Sequence, residues 1–106
     1  MSVATHTNPT KIVRMQGPNW FRFNISTPEK YTSGFFNESD LESKSTLPKP
    51  LKLIGKELTL VDAVEKFHIN LGGDKSDRIV VKFKDHEEVT EGMLVMIADF
   101  IGEMLG

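Results

Sequence analysis

The sequence predicts an α+β fold in a single domain: a small β-sheet with an N-terminal hairpin and a central strand, packed by two main helices. Three observations predict it. Two β-favouring runs near the N-terminus flank a cluster of turn residues, a β-branched run stands at Arg78 to Phe83, and residues 91–105 repeat apolar side chains at helical spacing.

Residues 1–10 are polar and aperiodic and read as a flexible leader, so the domain runs from 11 to 106. Lys11 to Met15 alternates in part, Gln16-Gly17-Pro18-Asn19 supplies turn chemistry, and Trp20 to Ile25 is rich in aromatic side chains. The two runs form a hairpin. Alternation puts Trp20 and Arg22 on one face and Phe21, Phe23 and Ile25 on the other, and the wholly apolar set is the one expected in the core. Residues 26–50 then turn to Ser, Thr, Pro, Glu and Lys around an apolar island of Tyr31, Phe35 and Phe36. They read as an irregular connection, with at most a short helix after Ser39.

Leu51 to Leu60 reads as a segment with a short strand before Gly55. Thr59 suits a helix N-cap, with Leu60, Val64, Phe67 and Leu71 on one face of the helix and Gly72-Gly73 stopping it. Arg78 to Phe83 has the continuous apolar character of a central strand, and Lys84 to Glu88 is a charged loop. Thr90 caps the last helix, whose apolar positions are Met93, Leu94, Ile97, Phe100, Ile101, Met104 and Leu105 and whose polar side carries Glu91, Asp99 and Glu103. That helix is either core or a dimer seam.

Composition narrows the function classes. At 106 residues, with 39% apolar and 26% charged side chains, the chain supports one hydrophobic core and is too apolar for wholesale disorder. It has no cysteine, which removes disulfides, zinc ribbons and thiol nucleophiles and fits a reducing compartment. No secretory signal or membrane-spanning run is visible, so the expected location is cytoplasmic, with no membrane partner. Net charge is −2, but the sign changes along the chain. Residues 1–56 hold 8 basic and 4 acidic side chains, and residues 57–106 hold 5 basic and 11 acidic. The acidic half would repel a phosphate backbone, which disfavours nucleic acid as a partner of the whole domain.

Reactive groups do not converge. His68 follows Phe67 and reads as a surface or boundary residue, while His86 sits in Asp85-His86-Glu87-Glu88, where neighbours in sequence cannot easily close on one ion. Leu71-Gly72-Gly73-Asp74-Lys75-Ser76 lacks the spacing of a phosphate-binding loop. No catalytic residue, metal site or cofactor is therefore expected, and the chain is not read as an enzyme.

Residues 58–106 resemble the STAS family, in which a helix and a buried strand lead through an acidic loop to a helix that opens on a small polar pair. The strand would be Arg78 to Phe83, and the junction Glu88-Val89-Thr90-Glu91-Gly92-Met93-Leu94. The family carries a serine pair where this chain has Glu91-Gly92. The resemblance implies a signalling switch controlled by phosphorylation at Thr90, where added phosphate would meet Glu88 and Glu91.

The expected function is that of a non-enzymatic regulatory module that binds another protein. Its contact residues would be Trp20 and Arg22, the island of Tyr31, Phe35 and Phe36, and an acidic set of Asp85, Glu87, Glu88 and Glu91 continued by Asp99 and Glu103. One form of this reading is a small bacterial or phage inhibitor of a host complex, working through the acidic face. The alternatives are the STAS-like switch and a small nucleic-acid-binding protein that uses the aromatic and basic N-terminal hairpin.

Overall fold

A computed structural model describes residues 10–25, 34–41, 47–72 and 77–105. Tyr31, Gly73 and all but the last residue of the leader lie outside them. Five strands, β1 (Lys11–Arg14), β2 (Trp20–Asn24), β3 (Gly34–Asn37), β4 (Val64–Leu71) and β5 (Arg78–Phe83), form one antiparallel sheet in the order β1-β2-β5-β4-β3. Helices α1 (Lys49–Thr59) and α2 (Glu91–Leu105) pack against it. The fold is α+β, with β1 and β2 as the N-terminal hairpin and β5 at the centre.

Period-two alternation divides the sheet into unlike faces. Phe21 and Phe23 of β2, Phe67, Ile69 and Leu71 of β4, and Ile79, Val81 and Phe83 of β5 point to one side. There they join Leu51, Ile54 and Leu58 of α1 and Leu94, Ile97, Ala98, Ile101 and Leu105 of α2 in a single core. Phe21 and Phe83 meet edge to face at 5.8 Å between centroids, the arrangement that the ring quadrupoles favour. Both helices cover this side.

Two of the expected elements are exchanged. Val64–Leu71 is a strand, not the helix that Leu60, Val64, Phe67 and Leu71 suggested. Phe67, Ile69 and Leu71 also alternate, and pairing with β5 on one side and β3 on the other selects that period. Gly72, at φ 76°, closes this strand instead of a helix, and its N–H donates to Asp77 Oδ1 at 2.8 Å. The helix lies earlier, at Lys49–Thr59, where a short strand was expected. Pro50 stands in its first turn, where no N–H is needed, and Leu51, Ile54 and Leu58 face the core. Gly55 belongs inside this helix because a Cβ there would lie 2.5 Å from Leu41 Cδ2 and 2.9 Å from Phe67 Cζ. The helix can approach β4 only without a side chain at that point.

The irregular connection also has structure. Phe35 and Phe36 belong to edge strand β3, followed by a single 3₁₀ turn at Glu38–Leu41. Asp40 Oδ2 accepts the Asn37 N–H at 3.0 Å, and Glu38 Oε1 accepts the Phe67 N–H at 2.9 Å. These carboxylates satisfy backbone donors where the β3–β4 ladder ends. α2 starts as expected, with Thr90 Oγ1 accepting the Met93 N–H at 3.2 Å.

Candidate functional site

Neither helix covers the other face of the sheet. Strand register assigns its residues in rows: Trp20, Lys82 and Lys66 in the first; Val13, Arg22, Val80, His68 and Asn37 in the second; Lys11, Asn24, Arg78, Asn70 and Phe35 in the third. Positions 66, 68 and 70 belong to β4 and positions 78, 80 and 82 to β5. Cations, amides and rings dominate, and no carboxylate occupies a register position on this face.

The rings lie along a diagonal. Trp20 on β2, His68 on β4 and Phe35 on β3 step down one row each, with centroids 6.5 Å apart between Trp20 and His68 and 4.9 Å apart between His68 and Phe35. Trp20 and His68 are half-buried, whereas Phe35 is 58% exposed. A ring that exposed on a strand is a candidate contact residue. Lys66 Nζ lies 5.4 Å from the centre of the Trp20 ring, within cation–π range.

The cations differ in how they are paired. Lys82 Nζ bonds to Asp85 Oδ1 and Glu65 Oε1, both at 2.9 Å, and reaches the Phe83 carbonyl at 3.3 Å. The bonds that Lys82 donates to Asp85 and Glu65 raise its pKa above the ordinary lysine value and offset partial burial. Lys82 is thus a neutralised, structural cation. Among the described residues no carboxylate lies within ion-pair distance of Lys11, Arg22, Lys66 or Arg78. The Nε atoms of Arg22 and Arg78 are also buried without an acceptor. Between them Val80 is only 2% exposed although it lies outside the main core, as expected where long side chains lie across a small apolar one.

Burial lowers the His68 pKa below 6.5; Glu38 pulls the other way, and Arg78 and Lys66 add to the lowering. The imidazole is therefore neutral at pH 7 and behaves as a flat ring.

The β1–β2 turn anchors one end of this face. Asn19 adopts φ 62°, its Nδ2 donates to the carbonyls of Lys84 (2.7 Å) and Glu87 (3.2 Å), and its own carbonyl accepts the Phe83 N–H at 2.9 Å. The hairpin is tied by these bonds to the charged loop after β5, which fixes Trp20 beside Lys66.

Of the residues expected from sequence, the structure brings Trp20, Arg22 and Phe35 onto this one face and turns Phe36 toward the core. The acidic set is not a uniform surface. Asp85 is bonded to Lys82, Glu87 is half-buried with His86 Nε2 3.3 Å from its carboxylate, and Glu88, Glu91, Asp99 and Glu103 are exposed on the loop and α2. Lys11 belongs to the basic hairpin expected for the nucleic-acid alternative, whereas Lys66, His68, Asn70 and Arg78 were not among the expected site residues, although positions 66, 68, 70 and 78, 80, 82 alternate. Among the described residues no three His, Asp or Glu side chains are grouped to hold a metal, and no helix is long and apolar enough to cross a membrane.

Compared with known proteins, the chain matches no family model, and no curated protein or solved structure is significantly similar to it.

Proposed function

We propose that the chain binds single-stranded nucleic acid across the open face of its sheet. The observation that carries this reading is the diagonal of Trp20, His68 and Phe35 beside cations that no carboxylate among the described residues pairs. Arg22, Arg78 and Lys11 lie on one flank of the diagonal and Lys66 on the other. Unstacked bases supply flat apolar surfaces for the rings, and the phosphodiester chain supplies the anions that the guanidiniums lack. The amides of Asn24 and Asn70 lie among them and can donate to or accept from base edges, while Asn37, whose Oδ1 already accepts from Ser39, has its Nδ2 to donate.

This reading departs from protein contact as the leading expectation because the cations of both halves of the chain meet on one face. Among the described residues the acidic side chains of the second half hold no register position on that face, and Glu65 and Asp85 are bonded to Lys82. Duplexes are disfavoured, since they hide the base faces that the rings would stack on.

Fluorescence anisotropy with a labelled mixed-sequence oligonucleotide of about 12 nucleotides, as RNA, as DNA and as a duplex, tests the proposal. Both single strands should bind more tightly than the duplex, and the difference between them reports the contribution of the 2′-hydroxyl. With up to four phosphate contacts, log Kd should change with log salt with a slope of about 2 to 3. Phe35→Ala should weaken binding about fivefold or more. Equal affinity for duplex and single strands, or tighter binding of an acidic peptide of the same charge, would overturn the reading; the peptide result would return this face to protein recognition.

A further inference from the structure

The helical layer has its own unpartnered surface. A groove of about 230 Å³ runs between the C-terminal end of α1 and the middle of α2, lined by Glu57, Leu58, Val61, Met96, Ile97 and Phe100. Large apolar side chains stand open around it: Met96 is 72% exposed and Leu60 74%, with Leu53, Val61 and Val95 also exposed. Neither the core nor the nucleic-acid reading uses them.

Charge on the two helices is arranged in stripes. Lys49, Leu53, Lys56 and Leu60 recur at spacings of three and four, so α1 and its cap present a basic and apolar line to solvent. On α2, Met96, Asp99 and Glu103 do the same with acidic residues. The groove separates the lines. A two-fold axis along the groove would lay α1 of one copy over α2 of another, set Lys49 and Lys56 against Asp99 and Glu103, and bring Met96 onto Leu60 and Val61 of the second copy. A surface with both signs on adjacent lines and a seam between that is apolar except for Glu57 is complementary to itself, as a symmetric dimer requires. Another protein would have to reproduce that pattern in reverse.

We propose that the chain forms a symmetric homodimer through the groove between α1 and α2. Because the helices cover only the inner side of each sheet, the two outer faces would point away from each other, and one dimer would hold two strands.

Sedimentation equilibrium of the full chain without nucleic acid, from about 1 to 200 μM, reads the proposal independently of ligand binding. The expected result is a mass rising with concentration from the 11.9 kDa of the monomer toward twice that value. Met96→Glu should raise the dimer dissociation constant at least about tenfold. Lys56→Glu and Glu103→Lys should each weaken the dimer, and the two in one chain should restore it, with circular dichroism showing that each variant is folded. A monomeric mass across the whole range, a dimer indifferent to folded Met96→Glu, or a folded double reversal weaker than either single one overturns it.

Discussion

The inner and outer faces of the sheet share the same strands and the same backbone hydrogen bonds, yet they solve different problems. On the inner face the residues opposite one another are Phe21, Val81 and Phe67, and then Phe23, Ile79, Ile69 and Phe36. Every one of these contacts lowers the free energy of the folded chain by removing apolar surface from water. The outer face sets Lys66 beside Lys82, whose charge Glu65 and Asp85 neutralise, and among the described residues Arg22 and Arg78 have no carboxylate within ion-pair distance. Charges without a partner add nothing to folding stability, so this face contributes less to the monomer than the inner one.

The comparison can be broken or sharpened by substitution on each side. The largest expected effect belongs inside: Phe23 is fully buried beside Ile79, and Phe23→Ala should lower unfolding free energy by about 3 to 5 kcal/mol, read by urea denaturation. Against a total stability of about 5 to 15 kcal/mol for such domains, that loss takes the chain close to unfolding. On the outer face the double variant Arg22→Gln, Arg78→Gln keeps much of each stem over Val80 and removes both charges. Because the lost Nε donors are buried without an acceptor and much of each stem is kept, its stability should fall by no more than about 1 kcal/mol. Its oligonucleotide affinity should fall at least about tenfold at low salt, because charge-assisted contacts to phosphate are lost.

Asn19→Ala tests the anchor between the hairpin and the loop after β5. It removes two hydrogen bonds and leaves a side chain poorly suited to φ 62°. The expected cost is about 1 to 2 kcal/mol, with a smaller loss of binding as Trp20 loosens.

The smallest effect is a pH dependence. Burial lowers the pKa of His68, so the folded chain resists a proton that the unfolded chain takes up near pH 6.5. Stability contributed by this residue is therefore complete above pH 6.5 and declines as pH falls toward the lowered folded value. Binding should move in the opposite sense, since a protonated His68 adds a cation beside Arg78 and Lys66. Oligonucleotide affinity should strengthen modestly as pH falls below 6.5, and His68→Phe should abolish that slope while keeping the ring. A slope that persists in His68→Phe assigns the effect to another group.

Much of this architecture was legible from local patterns. The hairpin was visible because Gln16-Gly17-Pro18-Asn19 punctuates two β-favouring runs, and alternation alone separated Trp20 and Arg22 from Phe21 and Phe23. α2 was visible because its apolar spacing fits no strand and Thr90 caps it. The exchange between α1 and β4 has a physical cause. Val64, Phe67 and Leu71 satisfy a helical period while Phe67, Ile69 and Leu71 satisfy a strand period, and only the partners β3 and β5 decide between them. In α1 the sequence Leu51-Lys52-Leu53 imitates alternation, and Gly55 looks like a terminator until its close approach to Phe67 is seen.

The same ambiguity conceals the candidate site. A helix over residues 60–71 puts Lys66, His68 and Asn70 out of register with Arg78, Val80 and Lys82, and along the chain the second half is acidic. Folding sorts charge by face instead: Lys11 and Arg22 from the first half join Lys66 and Arg78 from the second across the strand pairs. The signal was present in the residue types, but its expression depended on long-range pairing.

Trp20 is the only tryptophan in the chain and stands at the head of the ring diagonal, so its fluorescence reports directly on that face. Titration with a single-stranded oligonucleotide at low salt should give saturable quenching that disappears in the Arg22→Gln, Arg78→Gln variant and is reversed by added salt. Emission that does not change through the full titration would contradict stacking on the outer face and with it the division of labour between the two sides of the sheet.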